Sequence, residues 1–324
     1  MYLFSKESLL SMISVDFMNC IMDSVKLAMI SEADITTPIR TTVKRGAKGQ
    51  SLLLMPCLSD DFWGLKVLTL FPDNPNKGKP FIHGIVALIN AEDGEFVAIF
   101  NGSLLTSIRT GAVSGLGIRS ICDINVKKLG LIGTGVQGYW QLRFACAARR
   151  FDEIWIYDNI EDKLSEYKKR LDADFALDMG ISVNISKDAT SVINKSEVII
   201  SATTSKQPLF DGVVKSLYEG KVFVGIGSYT PEMREYPDEF FVNADRVYVD
   251  TLHALEETGD LIFPIKNGFL DKEKIMSLSV AFGKETARGT YLYKSVGGAS
   301  FDLFSAKKIF EIAKKQNMLN NMDF

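Results

Sequence analysis

The chain has 324 residues, 46% apolar and 24% charged, a composition typical of a folded globular protein of roughly two domains of about 150 residues each. Its net charge of -3 gives no excess of Lys and Arg for a phosphate backbone or an anionic membrane, so neither nucleic acid nor membrane is expected as a partner. Lys6, Glu7, Asp16 and Asp23 interrupt any signal-peptide core, and no apolar run approaches the roughly 18 residues that span a bilayer, so we expect a cytoplasmic protein.

The first third of the chain predicts a helix followed by an antiparallel sheet. Apolar residues recur at three- and four-residue steps from Met18 to Met29, with Ser14 as the N-cap. Four β-rich runs then follow one another without helices between them: 51–56, 64–71, 81–90 and 95–100. Small and apolar residues over 104–122 predict a further helix, whose Ser and Thr hydroxyls are expected to cap its start.

Beyond Asp123 the pattern changes to alternating strands and helices. The predicted strands are 127–133, 153–158, 182–186, 197–203, 221–227 and 246–250. This alternation predicts a parallel, doubly wound sheet. Because no long linker separates the two halves, a cleft between them is the expected ligand site.

The most specific motif is LGLIGTGVQGYWQL, a GxGxxG pattern that follows a strand and opens a helix. In dinucleotide-binding folds the first glycine allows a tight turn, the second lets the backbone approach a diphosphate, and the third lets helix and strand pack. The residues expected to bind the diphosphate are Gly133, Thr134, Gly135, Val136, Gln137 and Gly138. Asp158, at the end of the second strand of this half, is expected to accept hydrogen bonds from a ribose diol.

Asp158 also bears on which nicotinamide cofactor is used. Its carboxylate would repel a 2′-phosphate and no Arg or Lys follows until Lys163, so NAD is favoured, with NADP as the alternative. Ala202, Thr203 and Ser228 follow two later strands and are predicted to contact the cofactor at the carboxyl edge of the sheet. Ordinary strand-end turns are the alternative interpretation of these three residues.

Three cations in the first half are candidates for binding a carboxylate. Lys66 lies inside an apolar strand, where a buried ammonium is costly unless it meets an anion. Arg109 lies among small residues, where its guanidinium can bind a carboxylate through two hydrogen bonds. Taken singly, these residues and Arg40 are more often surface charges or halves of structural ion pairs. Together, ahead of a nicotinamide site, they predict a clamp for a small amino or imino acid.

Several other polar residues have a simpler interpretation. His83 is a candidate proton donor near neutral pH, with a structural histidine as the alternative. His253 is expected at the surface, and Glu256, Glu257 and Asp260 are expected to form a solvated face.

The cysteines bear on metal binding and on redox compartment. Cys20, Cys57, Cys122 and Cys146 are too far apart in sequence for a zinc site or a CxxC motif, so no metal site is predicted. We expect all four to be small buried residues in a reducing compartment.

In combination, these features resemble the ornithine cyclodeaminase and mu-crystallin family. The resemblance is carried by five segments spread over nearly the whole chain: GLKVLTLFPDNPNKGKP, LLTSIRTGAVSGLG, LGLIGTGVQGYWQL, GIGSYTPEMREYP and YKSVGGASFDL. It implies an α/β fold in which a Rossmann domain with a doubly wound parallel sheet, residues 121–295, is inserted into a discontinuous α+β domain for substrate binding and dimerisation. That second domain would comprise residues 1–120 and a returning C-terminal helix in 296–324. The resemblance also implies NAD(P), a small amino or imino acid, a homodimer, and carboxylate contacts from Arg40, Lys66 and Arg109.

Two departures from the family pattern bear on the reaction. Cyclodeaminases have a Glu where this chain has Leu53 and an Asp where it has Tyr229. Cyclodeamination moves protons among two nitrogens through positioned acids and bases, whereas reduction of a preformed ketimine needs chiefly a carboxylate clamp and a nearby nicotinamide. We therefore expect NAD(P)H-dependent reduction of a ketimine such as Δ1-pyrroline-2-carboxylate, or the reverse reaction as an amino-acid dehydrogenase. Lys66 is the expected proton relay, and Tyr229 either donates a hydrogen bond or packs.

Three alternatives remain open on the sequence. The first is ornithine cyclodeaminase itself, which would require another acid in place of the missing pair. The second is a synthase-dehydrogenase that makes and oxidises an N-linked amino-acid adduct. The third, from a different class, is an NAD(P)-dependent binding protein of small ligands, like mu-crystallin.

Overall fold

The structure is a computed structural model, and it describes residues 1–45, 49–285 and 288–321. The chain forms two compact units, Met1–Ala112 with Gly298–Phe324, and Val113–Gly297. From the sequence, the corresponding borders were expected after residues 120 and 295. The first border differs because it falls inside one continuous helix, Gly102–Ile121, which has no break in its pattern of small and apolar residues.

The elements follow the chain in this order. The strands are β1 (Tyr2–Phe4), β2 (Thr41–Arg45), β3 (Gln50–Leu58), β4 (Phe62–Leu70), β5 (Ile82–Asn90), β6 (Phe96–Asn101), β7 (Lys128–Ile132), β8 (Glu153–Tyr157), β9 (Ser182–Ile185), β10 (Val198–Ser201), β11 (Val222–Gly225), β12 (Arg246–Val249), β13 (Ile275–Ser277) and β14 (Tyr291–Lys294). The α-helices are α1 (Lys6–Ser11), α2 (Val15–Ile30), α3 (Gly102–Ile121), α4 (Val136–Ala148), α5 (Leu164–Leu171), α6 (Ala189–Lys195), α7 (Asp238–Asn243), α8 (Ala254–Glu257), α9 (Gly259–Lys266) and α10 (Ala299–Lys315).

The first unit contains a six-stranded sheet of order β1-β6-β5-β4-β3-β2. Strands β3 to β6 pair antiparallel, as predicted. Two edge strands were not predicted: β2, which pairs antiparallel with β3, and the short β1, which pairs parallel with β6. Lys66 lies opposite Met55 and Val86 in the register, so the three side chains share one face of the sheet. Helix α10 packs on that face, since a Cβ on Gly64 would lie 3.2 Å from the Leu303 side chain.

Two helix starts in the first unit were predicted, and one of the two predicted caps is correct. The Ser14 hydroxyl accepts the Phe17 N–H at 3.1 Å and caps α2. Helix α3 is instead capped by Asn101, whose Oδ1 accepts the Leu104 N–H at 3.0 Å. The predicted Ser and Thr caps are wrong because the helix begins at Gly102, before these residues, and the Ser107 hydroxyl donates to the Ser103 carbonyl one turn back.

The second unit contains an eight-stranded sheet of order β13-β12-β14-β11-β10-β7-β8-β9, parallel throughout. This confirms the doubly wound parallel sheet predicted from the alternating pattern. Strands β13 and β14 were not among the predicted strands, and β14 lies between β11 and β12. Aromatic rings form much of the core on one side of the sheet, with the Phe223 and Phe240 centroids 5.0 Å apart.

Three of the four cysteines are buried, as expected, and burial raises the pKa of Cys57, Cys122 and Cys146 to about 12. The expectation is wrong for Cys20, which is exposed because it lies on the outer side of the amphipathic helix α2. Within the described residues, no helix combines the length and apolar character needed to cross a bilayer.

Candidate functional site

The glycine-rich loop between β7 and α4 has space for a diphosphate. Gly133 has φ +100°, and a Cβ there would lie 2.6 Å from the Ala202 carbonyl oxygen. A Cβ on Gly138 would lie 2.3 Å from the Gly133 carbonyl oxygen, so helix and loop touch where no side chain fits. Gly135, the N-cap of α4, has open space around its Cβ position, and the start of a 13-residue helix presents free backbone N–H groups there. The loop therefore fits the group that the motif predicts.

Asp158 follows β8 and is bonded to the glycine-rich loop. Its Oδ2 accepts the Thr134 N–H at 2.7 Å and the Thr134 hydroxyl at 3.0 Å, while its Oδ1 accepts the Ile160 N–H at 3.0 Å. The carboxylate thus fixes the conformation of Thr134, a role that the motif alone does not reveal. It stands beside the loop, in the position from which acids of this fold bind a ribose diol.

The ends of β10 and β11 are linked by a buried acid, Glu235, which sequence reasoning missed. Its Oε1 accepts the Thr203 N–H at 2.8 Å, and its Oε2 accepts the Gly227 N–H at 2.9 Å. Thr203 and Ala202 are half-buried, whereas the Ser228 side chain is fully buried. The Ser228 hydroxyl donates to the Met233 carbonyl at 2.6 Å, so this side chain, predicted to contact the cofactor, holds its own loop and has no exposed surface.

Asp260, which was expected on a solvated face, is fully buried, so that part of the prediction is wrong. Its Oδ1 accepts the N–H groups of Glu235 and Tyr236 at 2.7 and 3.1 Å, and its Oδ2 lies 3.2 Å from the Lys294 ammonium. These partners come from sequence-distant segments, which is why the spacing of acids in the sequence suggested a surface instead. His253, by contrast, is exposed as expected.

In the first unit, one carboxylate lies between two of the predicted cations. Asp302, in the first turn of α10, accepts hydrogen bonds from Lys66 on β4 and from the Arg109 Nε on α3, the latter at 3.0 Å. The exposed fractions of Lys66, Arg109 and Asp302 are 2%, 7% and 2%. Sequence reasoning missed Asp302, although an acid in the first turn of a helix with a wide apolar face was a usable signal.

Burial controls the protonation of Lys66. Burial lowers the pKa of the Lys66 ammonium to about 8. The negative charge of Asp302 opposes this shift, and the positive charges of Arg109 and Arg40 add to it by smaller amounts. A lysine with this pKa is mostly protonated at neutral pH and releases its proton readily. Arg40, which precedes β2 and is half-buried, lies close enough to Lys66 for its charge to act there.

The structure does not bring every predicted residue of the first unit to the same face. His83 lies opposite Thr69 in the register, so it lies on the face of the sheet opposite to Lys66, and it is exposed. Leu53 lies opposite Leu68 and shares the Lys66 face, so an apolar side chain occupies the position where cyclodeaminases carry their Glu.

In the second unit, Tyr229 is 42% exposed and follows the buried Ser228. No group of three or more His, Cys, Asp or Glu side chains is arranged to bind a metal ion within residues 1–45, 49–285 and 288–321.

A parallel sheet of this order, with a glycine-rich loop at the start of α4 and an acid after the next strand, defines a dinucleotide-binding protein of the Rossmann class. The chain belongs to the ornithine cyclodeaminase/mu-crystallin family, whose model matches residues 7–317. The recognition made from the five sequence segments is confirmed.

Relatives of known activity match the chain over most of both lengths, among them the following three. A Δ1-pyrroline-2-carboxylate reductase of Bacillus cereus is 32% identical over 298 residues, 89% of each chain. The solved structure of Thermococcus litoralis Δ1-pyrroline-2-carboxylate reductase in complex with NADH and L-proline is similar with a TM-score of 0.88 at 28% identity, covering 99% of this chain and 100% of that one. An archaeal alanine dehydrogenase dimer with bound NAD gives a TM-score of 0.86 at 25% identity, covering 100% and 99%. This chain is accordingly an enzyme of the oxidoreductase class.

Proposed function

We propose that this protein is an NADH-dependent reductase of a small cyclic ketimine of the Δ1-pyrroline-2-carboxylate type, acting in the cytoplasm as a homodimer. The observation that carries the proposal is the buried cluster of Lys66, Arg109 and Asp302. Two cations face one acid there, so the cluster keeps a net positive charge available for a substrate carboxylate. The similarity to reductases of this substrate supports the same assignment.

The three cations have different roles in binding the substrate carboxylate and in protonating the imine. Arg109, held by Asp302 through Nε, keeps its terminal nitrogens for the substrate carboxylate, and Arg40 adds positive charge. The Lys66 ammonium, whose pKa is lowered to about 8, holds the imine in its protonated form and supplies the proton that the product amine retains. A protonated C=N carbon is electrophilic, so the clamp needs no further acid to activate it.

The second unit supplies the cofactor site. The residues that would hold NADH are the loop 133–138 at its diphosphate, Asp158 at its adenosine ribose, and Ala202 and Thr203 towards its nicotinamide. When bound, the cofactor supplies a hydride to the imine carbon. The Asp158 carboxylate, which faces the loop without a cation at positions 159–162, supports NAD over NADP.

The residues at two positions argue against cyclodeamination. That reaction needs acids to move protons among two nitrogens, but position 53 is Leu, beside Leu68 on the Lys66 face, and position 229 is Tyr. Among the described residues, the acid bonded to Lys66 is Asp302, and its carboxylate is already shared by two cations.

The homodimer is supported by the outer face of the six-stranded sheet, the one opposite Lys66. This face carries Trp63, Ile85 and Phe96 with exposed fractions of 40%, 47% and 51%. Several large apolar side chains exposed on one face of a sheet are typical of an interface between subunits. The archaeal alanine dehydrogenase, a dimer, supports the same arrangement.

The test is a substrate panel with the purified protein. We expect loss of NADH absorbance with Δ1-pyrroline-2-carboxylate, formation of proline, and little turnover with pyruvate and ammonia. Incubation with NAD and ornithine gives no proline if the proposal is right. Proline and ammonia formed from ornithine without net NADH would instead identify a cyclodeaminase, and tight NADH binding with no turnover of any substrate would identify a binding protein.

A further inference from the structure

The carboxyl ends of β10 and β11 are held by one fully buried side chain, that of Glu235. Three backbone N–H groups donate to it, those of Thr203, Gly227 and Ser228, at 2.8, 2.9 and 3.4 Å. The hydroxyls of Thr203 and Ser201 also donate, both at 2.9 Å. Backbone N–H groups can only donate, and each carboxylate oxygen receives at least one of them, so this arrangement fits the ionised acid.

A second acid and one lysine complete the buried network. Asp260 lies 3.2 Å from Lys294 through Oδ2, and both side chains are fully buried. Burial raises the pKa of Glu235 and the Asp260 charge adds to the rise, while Lys294 and the hydrogen bonds from Thr203 oppose it only in part. With both carboxylates ionised, as the N–H donors around Glu235 indicate, and one ammonium, the network carries a net charge of -1.

The network lies beneath the part of the sheet edge where the nicotinamide half of the cofactor is expected. A dinucleotide lies along the carboxyl edge of a doubly wound sheet, with one nucleotide over each half. Asp158, after β8, marks the adenosine half, so the nicotinamide half lies over β10 and β11. Glu235 lies directly under the ends of those two strands, because a Cβ on Gly227 would be 2.4 Å from its Oε1.

We infer that the Glu235–Asp260–Lys294 network is an electrostatic device that favours the oxidised, cationic nicotinamide over the reduced one. The inference rests on the proposed function, since it requires a nicotinamide cofactor. Oxidation of NADH transfers a hydride with its electron pair to the imine carbon and leaves a positive charge on the ring. A fixed negative charge held in the low dielectric of the protein interior stabilises that charge as it develops, which favours hydride donation to the ketimine.

Charge substitutions at Asp260 and Lys294 separate this role from a structural one. Asp260→Asn brings the network to neutrality, whereas Lys294→Met brings it to a net charge of -2. Both variants break the same ion pair, so a purely structural contribution changes both in the same direction. The double variant Asp260→Asn/Lys294→Met lacks the ion pair but keeps a net charge of -1 on Glu235.

The measurement is the ratio of the NADH to the NAD⁺ dissociation constant, by calorimetry on each folded variant. A single charge acting over about 10 to 20 Å at an effective dielectric constant of about 20 changes such a ratio by about four- to fifteen-fold. We expect Asp260→Asn to lower the ratio by about that factor and Lys294→Met to raise it. The double variant should return to within about twofold of the wild-type ratio.

The outcomes distinguish this inference from the function on which it rests. A shift of both single variants in the same direction, or no shift while NADH still binds, would overturn the electrostatic role and leave the proposed reductase intact. Failure of the wild-type protein to bind NADH would overturn the proposed function itself. If Asp260→Asn does not fold, Lys294→Met against the double variant gives the same comparison, and the same ratio in both contradicts the inference.

Discussion

Arg109 and Asp302 are joined by a hydrogen bond of 3.0 Å between Nε and Oδ1, although 193 residues separate them along the chain. The same carboxylate also accepts from Lys66, so a single acid on the last helix fixes two cations of the predicted substrate clamp. Burial of a cation normally requires an anion that neutralises it. Here one carboxylate holds two buried cations, so the cluster keeps a net positive charge. A substrate carboxylate would complete the charge balance.

Asp302→Asn should destabilise the protein by about 3 to 5 kcal/mol, because it leaves two buried cations without their anion. In a Lys66→Met background, Asp302→Asn should lower the free energy of unfolding by about 1 to 2 kcal/mol less than in the wild type, because only the Arg109 cation is then left without its anion. Urea unfolding of the four proteins of this cycle measures the difference.

Asp61→Asn is the matched control for Asp302→Asn. Asp61 also pairs with a lysine of α10, Lys307, but its side chain is 52% exposed, so its loss should cost at most about 1 kcal/mol. Equal costs at positions 61 and 302 would contradict the account of a buried, charge-balanced cluster.

The pH dependence of ketimine reduction should report on Lys66. Burial lowers the pKa of Lys66 to about 8, so the ammonium form decreases as the pH rises through that value and kcat/KM should decrease with it, by about tenfold per unit at higher pH. In Lys66→Arg the side chain stays protonated, and this alkaline decrease should disappear even if the overall rate is lower. An unchanged alkaline limb in Lys66→Arg would show that a different group titrates.

The lowered pKa of Lys66 also determines how the free energy of unfolding changes with pH. Between pH 8 and 10.5 the unfolded chain binds a proton at Lys66 that the folded chain has released. The free energy of unfolding therefore gains a contribution that increases with pH across this window and is smallest below pH 8. Comparison of the wild type with Lys66→Met isolates that contribution from other groups that titrate in the same range.

Ile85→Glu should weaken the proposed homodimer. Ile85 is 47% exposed on the sheet face opposite Lys66, and a charge buried in an interface between two copies costs several kcal/mol. Sedimentation equilibrium should show a monomer in place of a dimer. Val213→Glu, at a 75% exposed apolar residue of the second unit, should leave the dimer unchanged. A wild-type monomer, or an Ile85→Glu dimer of unchanged affinity, would contradict the assigned interface.

Local patterns predicted much of this fold because they depend on neighbouring residues. The glycines of the loop, the Ser14 cap and the alternating strands of the second unit all follow from residues within a few positions of each other. The interactions that position the candidate site are different in kind. The hydrogen bonds of Asp302 with Lys66 and of Glu235 with Thr203 form only in the folded chain. The spacing of these residues along the sequence therefore does not predict them.

The error at Asp260 has the same physical origin. An acid near Glu256 and Glu257 is normally solvated, because burial of a carboxylate is costly without partners. Here the partners are the N–H groups of Glu235 and Tyr236 and the ammonium of Lys294, all from other segments. Strand β14 was also missed, although β9 to β12, which are equally short, were predicted.

Gly135→Ala should weaken NADH binding without weakening the fold. Gly135 has φ -75°, which alanine adopts readily, and its Cβ position has open space, so the new methyl group would occupy the region that a diphosphate approaches. We expect the NADH dissociation constant to rise about tenfold or more, with a free energy of unfolding within about 1 kcal/mol of wild type. Fluorescence titration with NADH and urea unfolding measure the two quantities.

Two matched glycine variants test the reason for that effect. Gly138→Ala should destabilise the second unit, because its Cβ would lie 2.3 Å from the Gly133 carbonyl oxygen, whether or not NADH is present. Gly298→Ala, at the N-cap of α10 with its nearest neighbour atom 3.5 Å away, should leave NADH binding unchanged. If Gly135→Ala binds NADH as tightly as Gly298→Ala does, the diphosphate does not approach this loop and the cofactor site must lie elsewhere.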